Sequence, residues 1–389
     1  MIDDFGLEKL VAPLQKWFIE NARVLPWREA KNAYYIWVSE IMLQQTRVEA
    51  VKPYFARFIG ELPDVKALAD CDEDRLLKLW EGLGYYNRAR NLKIAATQVI
   101  EQYEGKIPEE YGELLKLKGI GNYTAGAIAS ISYEKAVPAV DGNVLRVLSR
   151  VAADDRDIMK QSVRKSIEES LFALMNGVQY SDKKPANKYD ELVPSIFNQA
   201  LMELGATVCL PNGQPHCNAC PWEEICEAKK QGKIMDLPVK TKPKKRKIEK
   251  RTVLIIKDGD LLALKKRPNK GLLAGLYELP NVEGYFTKKQ VQEYVENHGY
   301  LPVRIQSLDS AKHIFSHVEW HMKGYVVFLQ ANEYDEAEHV QIQTKVNQED
   351  WIFVEVEQTK EQYAIPSAFA KYTEYLNMVL GKDAIETVK

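Results

Sequence analysis

The chain has 389 residues, 46 % of them apolar, too long for one ordinary domain and apolar enough for packed cores in two or three. No apolar run approaches the roughly eighteen residues of a membrane-spanning helix, and the acidic start "MIDDFGLEKL" lacks a secretory signal's basic and apolar regions, so a cytoplasmic protein is expected. A net charge of -2 and a pI near 6.4 exclude bulk basicity as a route to nucleic acid, but not a local basic face.

Residues 1 to about 230 read mostly as helices. In "SEIMLQQTRVEAV" Glu40 sits among Ile36, Val38, Ile41, Met42 and Val48. An acid on the apolar side of a helix is harder to ionise than one in water. Read as one helix, positions 40, 44, 47/48 and 51 share a face, so Gln44 and Val48 would line a pocket with Glu40. "LLKLWEGLGYYNRARNLKIAATQVIEQY" has helical spacing broken by Gly82 and Gly84. "GELLKLKGIGNYTAGAIASISY" reads as two helices joined by a turn in which Gly119 and Gly121 flank Ile120. Glycine there allows close backbone approach, and N–H groups opening the second helix suit a phosphate. Asp141, just before "GNVLRVL", stands where an N-cap belongs; such a carboxylate is expected to stay ionised.

"CLPNGQPHCNACPWEEIC" carries Cys209, Cys217, Cys220 and Cys226 in the spacing C-x7-C-x2-C-x5-C. Four thiols so close together in a cytoplasmic protein point to a metal rather than disulfides. Sulfur ligands suit zinc or iron–sulfur; a single C-x2-C followed by Pro221 favours a four-iron cluster. Cys71 stands alone and reads as an ordinary small side chain. Residues 235–251 then form a linker in which "KTKPKKRKIEKR" holds eight basic residues and one acid. Beyond it, "TVLIIKDGDLLALKKR" reads as two strands around an Asp-Gly turn, "EWHMKGYVVFLQ" and "DWIFVEV" as strands, and "KKQVQEYVENHG" and "SAFAKYTEYLNMVL" as helices.

The stretch "FNQALMELGATVC" with the cysteines after it resembles the helix-hairpin-helix DNA glycosylases that carry a [4Fe-4S] cluster. "LKGIGNYTAGAIAS" and "VPAVDGNVLRVLSR" resemble their hairpin and active-site aspartate. Two details depart from the family: the first cysteine gap is seven residues where six is usual, and Lys118 stands where proline is common. Tyr123 occupies the position at which endonuclease III-type enzymes have a lysine. A phenol forms no Schiff base, so base removal without efficient strand cleavage is implied. "LPWR", "EIMLQQTRV", "WEGLGYYNRARNL" and "TAGAIAS" resemble the MutY family, and the likeness spans most of residues 20 to 226.

That resemblance implies the following. Glu40 and Asp141 would be the acid/base and the anion that break a glycosidic bond, assisted by Tyr123 and Asn143. Leu25, Trp27, Arg28, Val48, Gln199 and Met202 would border the pocket for the extruded base. Gln45 and Tyr85 would wedge into the duplex, Gly119 and Gly121 would meet a DNA phosphate, and the four cysteines would hold the cluster. "KKRPNKGLLAGLYELPNVEG" resembles the glycine-rich segment of MutT-like (Nudix) folds, but no glutamate-rich metal-binding helix follows Gly284. The MutY family uses this domain to recognise 8-oxoguanine, and Phe315, Ser316 and His317 match its contact loop. The expected fold is thus multidomain: an all-α helix-hairpin-helix glycosylase with a cluster subdomain over 1–234, the linker over 235–251, and an α+β Nudix-like domain over 252–389. The expected partner is double-stranded DNA with an 8-oxoguanine·A or G·A mispair, bound by a monomer near the bacterial nucleoid. The alternatives are an endonuclease III-type glycosylase/lyase acting on damaged pyrimidines, and a non-catalytic DNA binder carrying a cluster.

Overall fold

The computed structural model describes residues 2–29, 32–177, 189, 191–241, 245–330 and 351–378. It divides into two compact units, one of residues 1–71 and 91–243, the other of residues 72–90 and 244–389. Residues 72–90, inside the stretch read from sequence as catalytic, therefore pack with the C-terminal residues. No helix among the described residues is long and apolar enough to cross a membrane.

The first unit is helical: α1 (Val11–Asn21), α2 (Pro26–Glu29), α3 (Ala33–Leu43), α4 (Val48–Glu61) and α5 (Val65–Asp70). After α6 (Glu73–Leu79), in the second unit, α7 (Asn87–Tyr103) re-enters the first. Then follow α8 (Tyr111–Leu114), α9 (Asn122–Tyr133), α10 (Gly142–Val151), α11 (Gln161–Gly177), α12 (Pro194–Thr207) and α13 (Glu227–Lys230). α3 is started by Asn32, whose side chain accepts the Tyr34 N–H at 2.9 Å. It is apolar nearly all round and buried on nearly all sides, as a central helix must be. α12 opens on Pro194, where the missing N–H costs nothing, and packs against α1, α9 and α10.

One sequence expectation fails here. Residues 40 to 51 are not one helix. α3 ends at Leu43, Gln44 turns to ψ 111°, and Gln45 takes the left-handed φ of 59° before α4 begins at Val48. The local residues would all tolerate a helix, so packing of α3 and α4 against one another overrides propensity.

In the second unit β1 (Lys247–Asp258) and β2 (Leu261–Lys266) form a hairpin with Gly259–Asp260 at its tip, one residue later than the expected Asp-Gly centre. Gly259 supplies the positive φ, 54°, that a two-residue turn requires. With β3 (Tyr277–Glu278), β4 (Asn281–Glu283), β5 (Pro302–Ile314), β6 (Val318–Leu329) and β7 (Trp351–Glu355) they make one sheet. Its order is β3-β2-β1-β6-β5, with β4 on β1 and β7 on β2; β1 and β6 are parallel. Val253 and Ile255 face one core cluster and Leu254 and Ile256 the other, the two-sided burial of a central strand. α14 (Lys288–Asn297) covers the second face behind a Thr287/Gln290 capping box. The expected C-terminal helix is reduced to one turn at Ser367–Phe369 and another at Ala370–Thr373. Phe369, Tyr372 and Leu376 are nonetheless buried on the sheet. The end of that stretch and part of the linker lie outside the described residues.

Candidate active site

A cleft of about 1190 Å³ opens in the helical unit between the ends of α2, α3, α4, α10 and α12. Glu40, Tyr123, Asp141 and Asn143 all line it, as do Leu25, Trp27, Arg28, Gln45, Val48, Gln199 and Met202. Residues drawn from sequence positions 25 to 202 thus share one wall because α3 and α9 pack side by side and α12 crosses both α9 and α10.

Glu40 is 5 % exposed. The Tyr123 hydroxyl donates to its Oε2 and also lies 3.1 Å from Met202 Sδ. Burial pushes the Glu40 carboxyl up to about 7, opposed by the Tyr123 hydrogen bond and reinforced by the Asp141 charge. The Tyr123 phenol is held well above its ordinary range by burial and by both carboxylates. Asp141 caps α10: its Oδ1 accepts from the Asn143 and Val144 N–H groups at 2.8 Å each, and its Oδ2 from Asn143 Nδ2 at 2.7 Å. The cap bonds, expected to favour the charged form of Asp141, do lower its carboxyl but are outweighed. Burial raises its carboxyl, and the cap bonds and the Arg146 charge only restrain the rise. The two acids are therefore pushed the same way, with Asp141 held by three donors and Glu40 by one.

The back of the cleft is α12. Gly205 is obligatory there: a Cβ would stand 2.6 Å from the Cβ of Asn143. Arg146 fixes the other side of Asn143, its Nη2 donating to Asn143 Oδ1 at 2.9 Å and to the Gly205 carbonyl at 2.7 Å. We expect Gly205→Ala to displace Asn143 and so the Asp141 carboxylate. Turnover should slow about 100-fold, with stability lower by about 1–3 kcal/mol from overpacking. Single-turnover kinetics and thermal melts check both.

The family is decided by comparison with known proteins. Residues 38–172 match the HhH-GPD superfamily of base excision DNA repair proteins, and residues 251–375 match the NUDIX domain. The adenine DNA glycosylase of Rattus norvegicus is 34 % identical over 375 residues, 82 % of this chain and 70 % of that protein. That of Buchnera aphidicola subsp. Schizaphis graminum is 34 % identical over 320 residues, 80 % of this chain and 86 % of its own. A solved thermostable thymine-DNA glycosylase is 25 % identical with a TM-score of 0.48, covering 58 % of this chain and 97 % of that one. The chain belongs to the adenine DNA glycosylase family.

For a family of this kind the rest of the helical unit is informative. Trp27 is buried with its edge on Phe55, ring centroids 5.3 Å apart, and Gln199 donates to Ser195 of its own helix. Gly119 takes φ 79° and touches Asn91, so no other residue fits; a Cβ on Gly121 would meet nothing within 4 Å. Gly121 and Asn122, which open α9, are exposed, and the N–H groups of a helix start suit a phosphate.

The four cysteines lie along one loop. Cys209 follows α12, Cys217 and Cys220 bracket a single 3-10 turn, and Cys226 precedes α13. Among the described residues no three metal-ligating side chains close to single-ion spacing. The four sulfurs are still near enough that the other three all raise the Cys220 thiol, after burial as the main cause. An all-sulfur set of four donors suits zinc or an iron–sulfur cluster. Trp222 pins the loop by donating to the Leu10 carbonyl at 3.1 Å.

Four of the residues singled out from sequence fall in the other unit. Tyr85 is 49 % exposed and takes the left-handed φ of 47°. Phe315, Ser316 and His317 form the turn between β5 and β6. Phe315 packs its edge on Trp320 at 5.0 Å; Ser316 and His317 are exposed and bond to each other at 3.2 Å.

Sequence reasoning missed Glu203. It is 1 % exposed and accepts from Arg23 Nε at 2.6 Å and Arg28 Nη2 at 2.9 Å. Burial would raise its carboxyl, but the Arg23 hydrogen bond and the two arginine charges prevail and lower it. The signal was the one that marked Glu40: an acid between Ala200, Leu201 and Leu204, all buried.

Proposed function

We propose that this chain hydrolyses the N-glycosidic bond of adenine mispaired with 8-oxoguanine or guanine in duplex DNA, without cutting the strand. The observation that carries the reading is the Glu40–Tyr123–Asp141 arrangement in one cleft. Adenine rotates out of the stack into the pocket bordered by Leu25, Trp27, Arg28, Val48, Gln199 and Met202, and Gln199 reads its edge. Glu40, whose carboxyl burial pushes up to about 7 so that about half of it keeps its proton at neutral pH, gives that proton to N7 of the base. The C–N bonding pair leaves with the neutral base, and the sugar becomes an oxocarbenium-like cation beside the Asp141 carboxylate. Asn143 keeps that carboxylate aimed, and Tyr123 holds the Glu40 carboxyl in place. Glu40, now an anion, takes a proton from a water molecule that adds to the sugar carbon, which restores the starting charge.

Monofunctional hydrolysis is favoured because no lysine is among the described residues lining the cleft, so an amine for Schiff-base chemistry is lacking there. Cys209, Cys217, Cys220 and Cys226 would hold a [4Fe-4S] cluster, which supplies a structural tie for the loop before α13 and takes no part in hydrolysis. Gln45 and Tyr85 would wedge the duplex, Gly119 and Gly121 would hold a phosphate, and the Phe315–His317 turn would read 8-oxoguanine on the Nudix-like domain.

The test is incubation with an 8-oxoguanine·adenine duplex, with and without subsequent alkali. Cleavage at the adenine only after alkali is the expected result. Cleavage without alkali would favour the lyase, and none in either case would leave a DNA binder.

A further inference from the structure

Residues 72–90 pack with the C-terminal unit through one nearly buried ammonium. Lys78, whose side chain is 10 % exposed, donates to Glu81 Oε2, to the Thr359 carbonyl at 2.9 Å and to the Tyr363 carbonyl at 3.3 Å. Those acceptors use all three donors a lysine has. Glu81 completes the knot: its Oε1 accepts the Ile365 N–H at 2.7 Å. Farther out, Asp74 takes Lys266 Nζ on both oxygens at 2.8 Å, and Arg90 bridges Glu73 and the Ala274 carbonyl, each at 2.7 Å.

Between these anchors the chain makes a turn with positive φ at Gly82, Gly84 and Tyr85. The turn is stiffened from within. Trp80 Nε1 donates to the Gly84 carbonyl at 3.1 Å, and Arg88 donates to the Leu83 and Gly84 carbonyls at 3.0 and 3.1 Å. The Arg88 guanidinium stands 5.5 Å from the Tyr85 ring. A non-glycine residue in the left-handed region persists only where its surroundings hold it.

We infer that Lys78 and Glu81 are positioning residues that make the Tyr85 turn part of the same body as the Phe315–His317 turn, so that wedging and reading of the opposite base act as one device. The inference rests on the roles proposed above for Tyr85 and for Phe315–His317. Its consequence is selective. Loosening the anchor should cost the enzyme its preference for one opposite base over another, not its chemistry, because Glu40 and Asp141 belong to the other unit.

The experiment compares single-turnover rate constants of the full-length protein on 8-oxoguanine·A and G·A duplexes. Lys78→Met is expected to lower the ratio of the two rates about tenfold, a modest misplacement effect, with the G·A rate within about twofold of wild type. An unchanged ratio in folded Lys78→Met, or an equal fall on both duplexes, overturns the inference. Should Lys78→Met fail to fold, the exposed Asp74–Lys266 pair carries the test. Asp74→Lys should lower the ratio and the added Lys266→Asp should restore it; no fall, or no rescue, overturns the inference. Tyr85→Ser is run alongside. A ratio untouched by Tyr85→Ser overturns the underlying reading of Tyr85. A ratio lowered by Tyr85→Ser and not by the anchor variants overturns the anchor alone.

Discussion

Glu40→Gln is expected to lower adenine release about ten-thousand-fold, the upper range for loss of a general acid–base, while the protein still folds and binds DNA. An amide matches the carboxyl in shape and can still accept the Tyr123 hydroxyl, so the variant isolates the proton. The wild-type enzyme should also show a pH limb that the variant lacks. Its Glu40 carboxyl is pushed up to about 7. The acid form does the work, so the single-turnover rate should fall as pH rises through that value, approaching tenfold per pH unit. A wild-type rate flat from pH 6 to 9 would remove Glu40 as the proton donor.

The same burial has a cost that stability measurements can read. The folded-state value lies above the ordinary 4.5. Below 4.5 the group is neutral in both folded and unfolded chains and the penalty is absent. As pH rises from 4.5 toward 7 the unfolded chain gives up the proton and the folded one does not, so stability is lost across that window and then levels off. At about 1.4 kcal/mol per pH unit the loss totals about 3 kcal/mol. Glu40→Gln should therefore be about as stable as wild type near pH 4.5 and more stable at pH 8, as compared by urea midpoints. A carboxyl that costs the fold stability above pH 4.5 is the trade expected of a residue used in chemistry.

How much of this could be read from the sequence differs from residue to residue. Glu40 was legible because an acid inside an apolar helical pattern conflicts with the rule for its neighbours, and such conflicts gather at functional sites. The strands of the second unit were legible for the opposite reason: Val253 to Ile256 obey their rule so well that only a central strand fits. The break at Gln44 and Gln45 was not, since nothing in Gln-Gln-Thr-Arg forbids a helix and the packing of α4 decides it. Glu203 carried the same signal as Glu40, but the arginines that keep it charged lie 175 and 180 residues away in sequence. The grouping of residues 72–90 with the C-terminal unit was hidden in the same way. The acceptors of Lys78 on that side lie 281 and 285 residues further on, and no local pattern encodes a partner at that range.

Asp141→Asn separates two roles that the sequence could only superimpose. Asp141 is a helix cap, with its Oδ1 on two backbone N–H groups at 2.8 Å. Asparagine caps as well as aspartate, so the stability of the variant should lie within about 0.5 kcal/mol of wild type. The base-release rate should nevertheless fall by about a thousandfold, the scale of losing one preorganised electrostatic partner of a transition state. The geometry makes this sharper than an ordinary charge deletion. Asp141 Oδ2 is bound by Asn143 Nδ2, which Arg146 orients through Asn143 Oδ1. In the variant, if the side-chain amide NH2 takes the Oδ2 place, two amide nitrogens face each other and Asn143 must turn away. Asn143→Asp in the Asp141→Asn background would put an acceptor opposite the new donor and repair that contact without returning the anion to its place. If the sugar cation needs the charge at position 141, the double variant stays slow. A rate restored to within about tenfold of wild type, against the full loss expected for a missing charge, would show that Asp141 serves only to hold the top of α10.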